Sequence, residues 1–171
     1  MIIWLDGTYG VGKTTIALQL EKVLHSEKVK LLISDSAYKE FMIRNPFAGG
    51  GAIPQNNKNF IIEFRNEIEK QLVSKDSIII VDMSLTQTEA KELLLDYFVN
   101  KGITIKHFIL NASITTLKKR IEESENRDRE LAYFYLKQNI DFLSKNYNEA
   151  IWINTDGKDI KEITKEIIKY I

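Results

Sequence analysis

The chain has 171 residues, 44% hydrophobic and 28% charged, with 24 basic side chains matched by 24 acidic ones and no cysteine. That length suits one compact domain spanning residues 1–171. The balanced charge supplies no field to draw in nucleic acid or an anionic membrane surface, and disulfides, thiolate metal sites and cysteine nucleophiles are excluded. The apolar runs are too short to span a bilayer and the start lacks a secretory signal pattern, so the cytoplasm is the expected compartment.

Short apolar runs alternate with stretches of helical periodicity, which predicts α/β architecture with a parallel sheet. Ile2 to Leu5 reads as the first buried strand. It leads into Gly7-Thr8-Tyr9-Gly10-Val11-Gly12-Lys13-Thr14, followed by Thr15, and this octapeptide fits the pattern G-x-x-x-x-G-K-[ST] without a mismatch. The glycines let the backbone wrap closely around phosphates with its N–H groups turned inward. A helix starting near Lys13 adds its positive end. Lys13 is then expected at the β- and γ-phosphates of ATP or GTP, and the Thr14 hydroxyl on Mg²⁺. The helix carries Ile16, Leu20, Val23 and Leu24 on one face.

Val29 to Ile33 forms the second predicted strand, followed by Ser34-Asp35-Ser36. Strand ends of an open α/β sheet face the ligand crevice, so Asp35 can orient or deprotonate an acceptor hydroxyl. It can equally cap a helix beginning near Ala37. Residues 45–57 hold both prolines and the triplet Gly49-Gly50-Gly51, a composition that predicts a mobile loop without regular structure. It is either a substrate-covering loop or a surface insertion. The next helix places Ile61, Phe64, Ile68 and Leu72 together. Arg65 lies off that face, free to bind an acceptor's anionic group or to form a surface ion pair.

Asp82 directly follows the third strand, Ile78 to Val81, where it can hold Mg²⁺ through water or cap the next segment. A helix with Leu93, Leu94, Tyr97 and Phe98 precedes a fourth strand at Ile103 to Leu110. Arg120, Arg127 and Arg129 then gather around a polar stretch, and residues 122–130 read as a lid. Phosphoryl transfer calls for cations and exclusion of water, which a closing lid supplies. The competing reading is a solvated surface in which Glu122, Glu123 and Glu125 satisfy the arginines. A fifth strand at Ala150 to Ile153 and a helix with Ile160, Ile163, Ile167 and Ile168 complete the pattern. His25 and His107 suggest packing or solvent exposure rather than catalysis.

The strand, P-loop and helix, with the lid and the length, resemble the nucleoside monophosphate kinase and shikimate kinase group. Met1-Ile2-Ile3-Trp4-Leu5-Asp6-Gly7 and His107-Phe108-Ile109-Leu110-Asn111-Ala112-Ser113, with Thr116, Leu117 and Arg120, are similar to the ATP-binding tunicamycin-resistance proteins. Asp35 and Arg65 match positions that this family carries after its second strand and before its third. The resemblance implies a P-loop fold with a five-stranded parallel sheet flanked by helices, ATP binding, and resistance to a nucleoside antibiotic. Asp6-Gly7 and Asp82-Met83-Ser84 also resemble deoxynucleoside and thymidylate kinases, although Met83 stands where those kinases carry an arginine.

The resulting expectation is an ATP-dependent phosphotransferase, monomeric or homodimeric, whose partners are a nucleotide and a small-molecule acceptor. Lys13, Asp35, Arg120 and Arg127 are its expected catalytic residues, and Arg120 is also expected to contact nucleotide. Asp35 and Arg65 are expected to bind the acceptor, and Thr14 and Asp82 the metal. The alternative is a protein that sequesters an antibiotic in an ATP-dependent way without modifying it.

Overall fold

The computed structural model describes residues 1–49, 51–125 and 128–171. Five parallel strands, β1 (Ile2–Asp6), β2 (Val29–Ile33), β3 (Ile78–Asp82), β4 (Ile105–Asn111) and β5 (Ile151–Asn154), form one sheet in the order β2-β3-β1-β4-β5. The helices are α1 (Lys13–Leu24), α2 (Ser34–Arg44), α3 (Lys58–Gln71), α4 (Thr88–Lys91), α5 (Tyr97–Asn100), α6 (Ile114–Glu122), α7 (Arg129–Asn146) and α8 (Ile160–Ile168). A π-helical turn, Glu92–Asp96, joins α4 to α5.

Strand period two sorts the core into two layers. Ile2 and Trp4 of β1, Ile79 and Val81 of β3, and Ile109 of β4 pack with Phe60, Ile61, Phe64 and Ile68 of α3 and with Leu94 and Phe98. Ile3, Leu5, Ile80, Phe108 and Leu110 point the other way, onto Ile16, Ala17 and Leu20 of α1 and Ile163 and Ile167 of α8. Apolar runs buried on both faces are what a parallel sheet between helices requires. Helices α3, α6, α7 and α8 begin at side-chain caps: Asn57 on Phe60 N, Ser113 on Thr116 N, Asp128 on Leu131 N, and a reciprocal box between Asp159 and Glu162.

Several expected boundaries shift for visible reasons. Strand β4 starts at Ile105, because Ile103 N donates to Phe98 O and closes the preceding helix. Strand β5 starts at Ile151, since Ala150 N turns back to Tyr147 O. Val23 is exposed, and Ala17 takes its place in the buried stripe of α1. Helix α2 begins at Ser34, directly off β2, rather than near Ala37.

The described residues of 45–57 make more structure and hydrogen bonds than their composition predicts. Pro54–Asn56 forms a 3₁₀ turn. Tyr38 Oη donates to Gly51 O at 2.8 Å, and Asn57 Nδ2 to Gly49 O at 2.8 Å. Gln55 exchanges two bonds with Thr86, its Nε2 donating to Oγ1 at 2.6 Å and its Oε1 accepting from the backbone N–H at 2.8 Å. Gly50 lies outside the described residues. Among the described residues no helix is long and apolar enough to cross a membrane.

Candidate active site at the carboxyl end of the sheet

In the strand order β2-β3-β1-β4-β5, β1 lies between β3 and β4, so its carboxyl end opens onto the crevice where chain connections run to opposite sides. The register sets Leu5 beside Asp82 and Ile33 beside Asp82. The P-loop, Asp82 and the start of α2 therefore meet at one edge. The cleft they form is lined by Lys13, Thr14, Asp35, Gln55, Asp82 and Asn139 among others.

The loop's shape follows from its glycines and from the groups beneath it. Gly7 has φ +138°, and a Cβ there would lie 2.6 Å from Leu110 O, so only glycine lets β1 turn away from β4 at this point. Asp6, fully buried, accepts at Oδ1 from Gly7 N at 2.6 Å and from Leu85 N at 3.2 Å. His107 Nε2 lies 3.2 Å from its Oδ2, and the His107 ring stands edge-on to Tyr147. Ser84 Oγ donates to Gly7 O at 2.6 Å. Val11 is buried in the core beneath the loop, so it contributes backbone to the cradle while its side chain anchors it. Gly10 backs onto α6, where a Cβ would meet Leu117 O at 3.1 Å.

Helix α1 follows Gly12 with no side-chain cap, and its first residues Lys13, Thr14 and Thr15 all border the cleft. An uncapped helix start carries unsatisfied N–H groups and the positive end of the helix dipole. Tyr9 borders the cleft as well, and the Thr8 carbonyl helps to hold the lysine. Lys13 is half-buried: Nζ donates to Gly7 O at 2.9 Å and Thr8 O at 3.3 Å.

Thr14 Oγ1 donates to Asp82 Oδ2 at 2.5 Å. Burial pushes the Asp82 carboxyl above its ordinary value, and Asp35 and Asp6 push it the same way, against the Lys13 ammonium and the Thr14 hydroxyl. A hydroxyl and a carboxylate in contact at the mouth of a phosphate loop fit the few protein oxygens Mg²⁺ takes when phosphates complete its shell. A bound cation would also remove the cost of ionising Asp82 there. Among the described residues no group of three or more His, Asp or Glu side chains forms a closed metal cage.

The other expected site residues separate. Asp35 lies in the first turn of α2, exposed and bordering the cleft, and α2 has no side-chain cap bond. The capping role is therefore not the one it plays. Arg65 is not among the cleft's lining residues. Its guanidinium lies 4.1 Å over the Tyr97 ring, with Nε buried and without a hydrogen-bond partner.

Arg120 also lies outside the cleft, on the far side of the loop. It donates to Thr155 Oγ1 at 3.0 Å, Thr155 O at 3.1 Å and Val11 O at 3.5 Å. It lines a second groove with Thr15, Lys158 and Ile160. Thr155, bonded to Asn111 O by both N and Oγ1, holds it there, so the role expected for it at the transferring phosphoryl is not supported by its position. Arg127 lies outside the described residues. Arg129 pairs with Glu122 at 3.5 Å on an exposed surface, in keeping with the solvated reading of that stretch.

Sequence reasoning missed Asn139, Ser84 and the clamp on Asp6. Asn139 sits in α7 among apolar positions, only 6% exposed, and borders the cleft. A polar residue at a core-facing helical position was the available signal.

Together the five-stranded parallel sheet, the phosphate loop and the Thr14–Asp82 pair define a P-loop, kinase-like α/β domain. The chain matches the family described as AAA domain over residues 2–138, and it belongs to that family. Among solved structures it is similar to the tunicamycin resistance protein of Deinococcus radiodurans, at 19% identity and TM-score 0.75, covering 99% of this chain and 94% of that one. It is similar to shikimate kinase from Aquifex aeolicus at 18% identity and TM-score 0.57, covering 99% and 95%. The gluconokinase from Sinorhizobium meliloti matches at 13% identity and TM-score 0.65, covering 98% and 89%. A search of the curated proteins returns no match.

Proposed function

We propose that this protein is a small-molecule kinase that transfers the γ-phosphoryl group of MgATP to an acceptor hydroxyl. The observation that carries the reading is the placement of Asp35 on the same cleft as Lys13 and the Thr14–Asp82 pair. MgATP, when bound, supplies the phosphoryl group and a divalent cation that neutralises its oxygens. Thr14 and Asp82 are the residues fitted to hold that cation, and the loop N–H groups and Lys13 to hold the phosphates. Arg120 and the segment at Lys158 and Ile160 line the groove on the far side of the loop, a place suited to the base and ribose.

Asp35 is placed to take the proton of the acceptor hydroxyl. The hydroxyl oxygen forms the new P–O bond as the bond from phosphorus to the leaving oxygen of ADP breaks, its electron pair staying with ADP. Ile53, Pro54 and Gln55, held against the loop after β3 by the Gln55–Thr86 bonds, wall this side of the cleft. The likeness to a tunicamycin resistance protein supports a nucleoside-type antibiotic as a candidate acceptor.

The test is ADP release coupled to mass analysis of the acceptor, across nucleosides, sugars and nucleoside antibiotics. A gain of one phosphoryl group, abolished in Lys13→Ala and lowered about 10²- to 10⁴-fold in Asp35→Asn with ATP affinity retained, is the expected result. ATP-dependent binding of an unmodified compound would replace this reading with sequestration.

A further inference from the structure

The lining of the acceptor side of the cleft selects among the hydroxyl compounds a kinase could take. Lys13 is the only cation among the described residues that line it, and the loop carbonyls place Lys13 where ATP phosphates bind. Two carboxylates, Asp35 and Asp82, share the same wall. The arginine expected to bind an anionic acceptor, Arg65, is held over Tyr97 instead. Met83, which also borders the cleft, is 1% exposed and packed in the core beside Trp4.

What the cleft does offer is neutral and hydrogen-bonding. Asn139 of α7 is 6% exposed and Ser34 of α2 is 5% exposed, both line the cleft, and among the described residues neither side chain makes a hydrogen bond, so their polar atoms are open to the cleft. Buried polar side chains are almost always paired. An unpaired carboxamide in a cleft wall is a donor and an acceptor waiting for a ligand that is both. Gln55 cannot swing to meet a different ligand, because both ends of its amide are engaged by Thr86.

We infer that the acceptor is a neutral polyhydroxy compound, a nucleoside, sugar or polyol, whose hydroxyl or amide edge pairs with Asn139, and that the cleft discriminates against acceptors bearing a carboxylate or phosphate. This inference rests on the kinase reading. An anionic group placed near Asp35, with Lys13 engaged at the phosphates and no other cation among the described lining residues, should lose on the order of 10-fold in kcat/KM from Coulomb repulsion. A neutral partner gains from two unpaired groups at no such cost.

The experiment measures MgATP-dependent phosphorylation by the full chain of matched pairs: uridine against uridine monophosphate, and glucitol against gluconate. ATP binding is followed separately by calorimetry. The expected result is turnover of a neutral member at least about 10-fold above its anionic partner. Asn139→Leu should raise the acceptor KM by on the order of 10-fold with the ATP KM unchanged, and Asn139→Gln should recover part of the loss. Turnover confined to anionic members overturns the inference while sparing the kinase reading. ATP binding with no transfer to any member overturns both. An acceptor KM unaffected by Asn139→Leu removes Asn139 from the assignment, and the pair comparison on the unaltered protein decides the acceptor class even if that variant fails to fold.

Discussion

Replacing Gly7 by alanine tests how the phosphate loop is shaped. The new Cβ would stand 2.6 Å from Leu110 O and 2.8 Å from Val11 Cγ1, both too close, and one of these atoms is backbone of the neighbouring strand. The residue would also keep φ at +138°, which costs a non-glycine residue roughly 1–3 kcal/mol. Overpacking against a fixed wall adds about 1–3 kcal/mol, so Gly7→Ala should lose roughly 2–6 kcal/mol. For a chain of this size that is a drop of roughly 5–20 °C in Tm. Gly102→Ala is the control: Gly102 has φ +72° but nothing within 4 Å of its Cβ position. It should lose only the backbone term of about 1–2 kcal/mol. Thermal unfolding monitored by circular dichroism gives both values, and calorimetry with ATP reports whether the loop still closes on phosphate. Equal Tm losses in the two variants, or unchanged ATP affinity in Gly7→Ala, would refute the idea that the close approach of β1 to β4 dictates the loop.

Asp82→Asn should stabilise the metal-free protein at neutral pH. Burial raises the folded-state pKa of Asp82 above 3.8, so the native state binds more protons than the unfolded chain as pH rises from there, and stability falls through that window. The gain over wild type should vanish below about pH 4; Tm measured across pH is the check, and Mg²⁺ with ATP should raise Tm in wild type more than in the variant. Arg120→Ala should weaken ATP binding on the order of 10-fold, since Arg120 lines the groove that Lys158 also borders, while leaving kcat nearly unchanged; a large fall in kcat with ATP affinity retained would instead place it with the transferring group.

The strand–loop–helix unit at the amino end was legible in the sequence because its signals are local. Five short, mainly apolar runs alternating with helical stretches fit a parallel sheet covered on both faces, and Gly7 to Thr14 carries its chemistry in consecutive residues. Asp82 was legible too, since a carboxylate directly after such a run must emerge at a strand end. Asp35 was placed correctly at a strand end, but whether it capped a helix depended on where α2 starts, which is Ser34, three residues before the expected Ala37.

Side-chain destinations set by distant packing were beyond reach. Arg65 and Arg120 are both cations near suggestive motifs, yet Tyr97 takes one and Thr155 the other, each 30 or more positions away. The glycine- and proline-rich segment looked unstructured because the groups that tie it down, Tyr38 and Thr86, lie outside it. Asn139 shows the same limit from the other side. Along the chain it is one polar residue in an otherwise ordinary helix, and only the sheet order, which carries α7 to the edge of the phosphate loop, turns it toward the cleft. Local sequence specifies backbone conformation and phosphate chemistry, whereas the partner a long side chain finds is decided by the tertiary contacts that bring remote elements together.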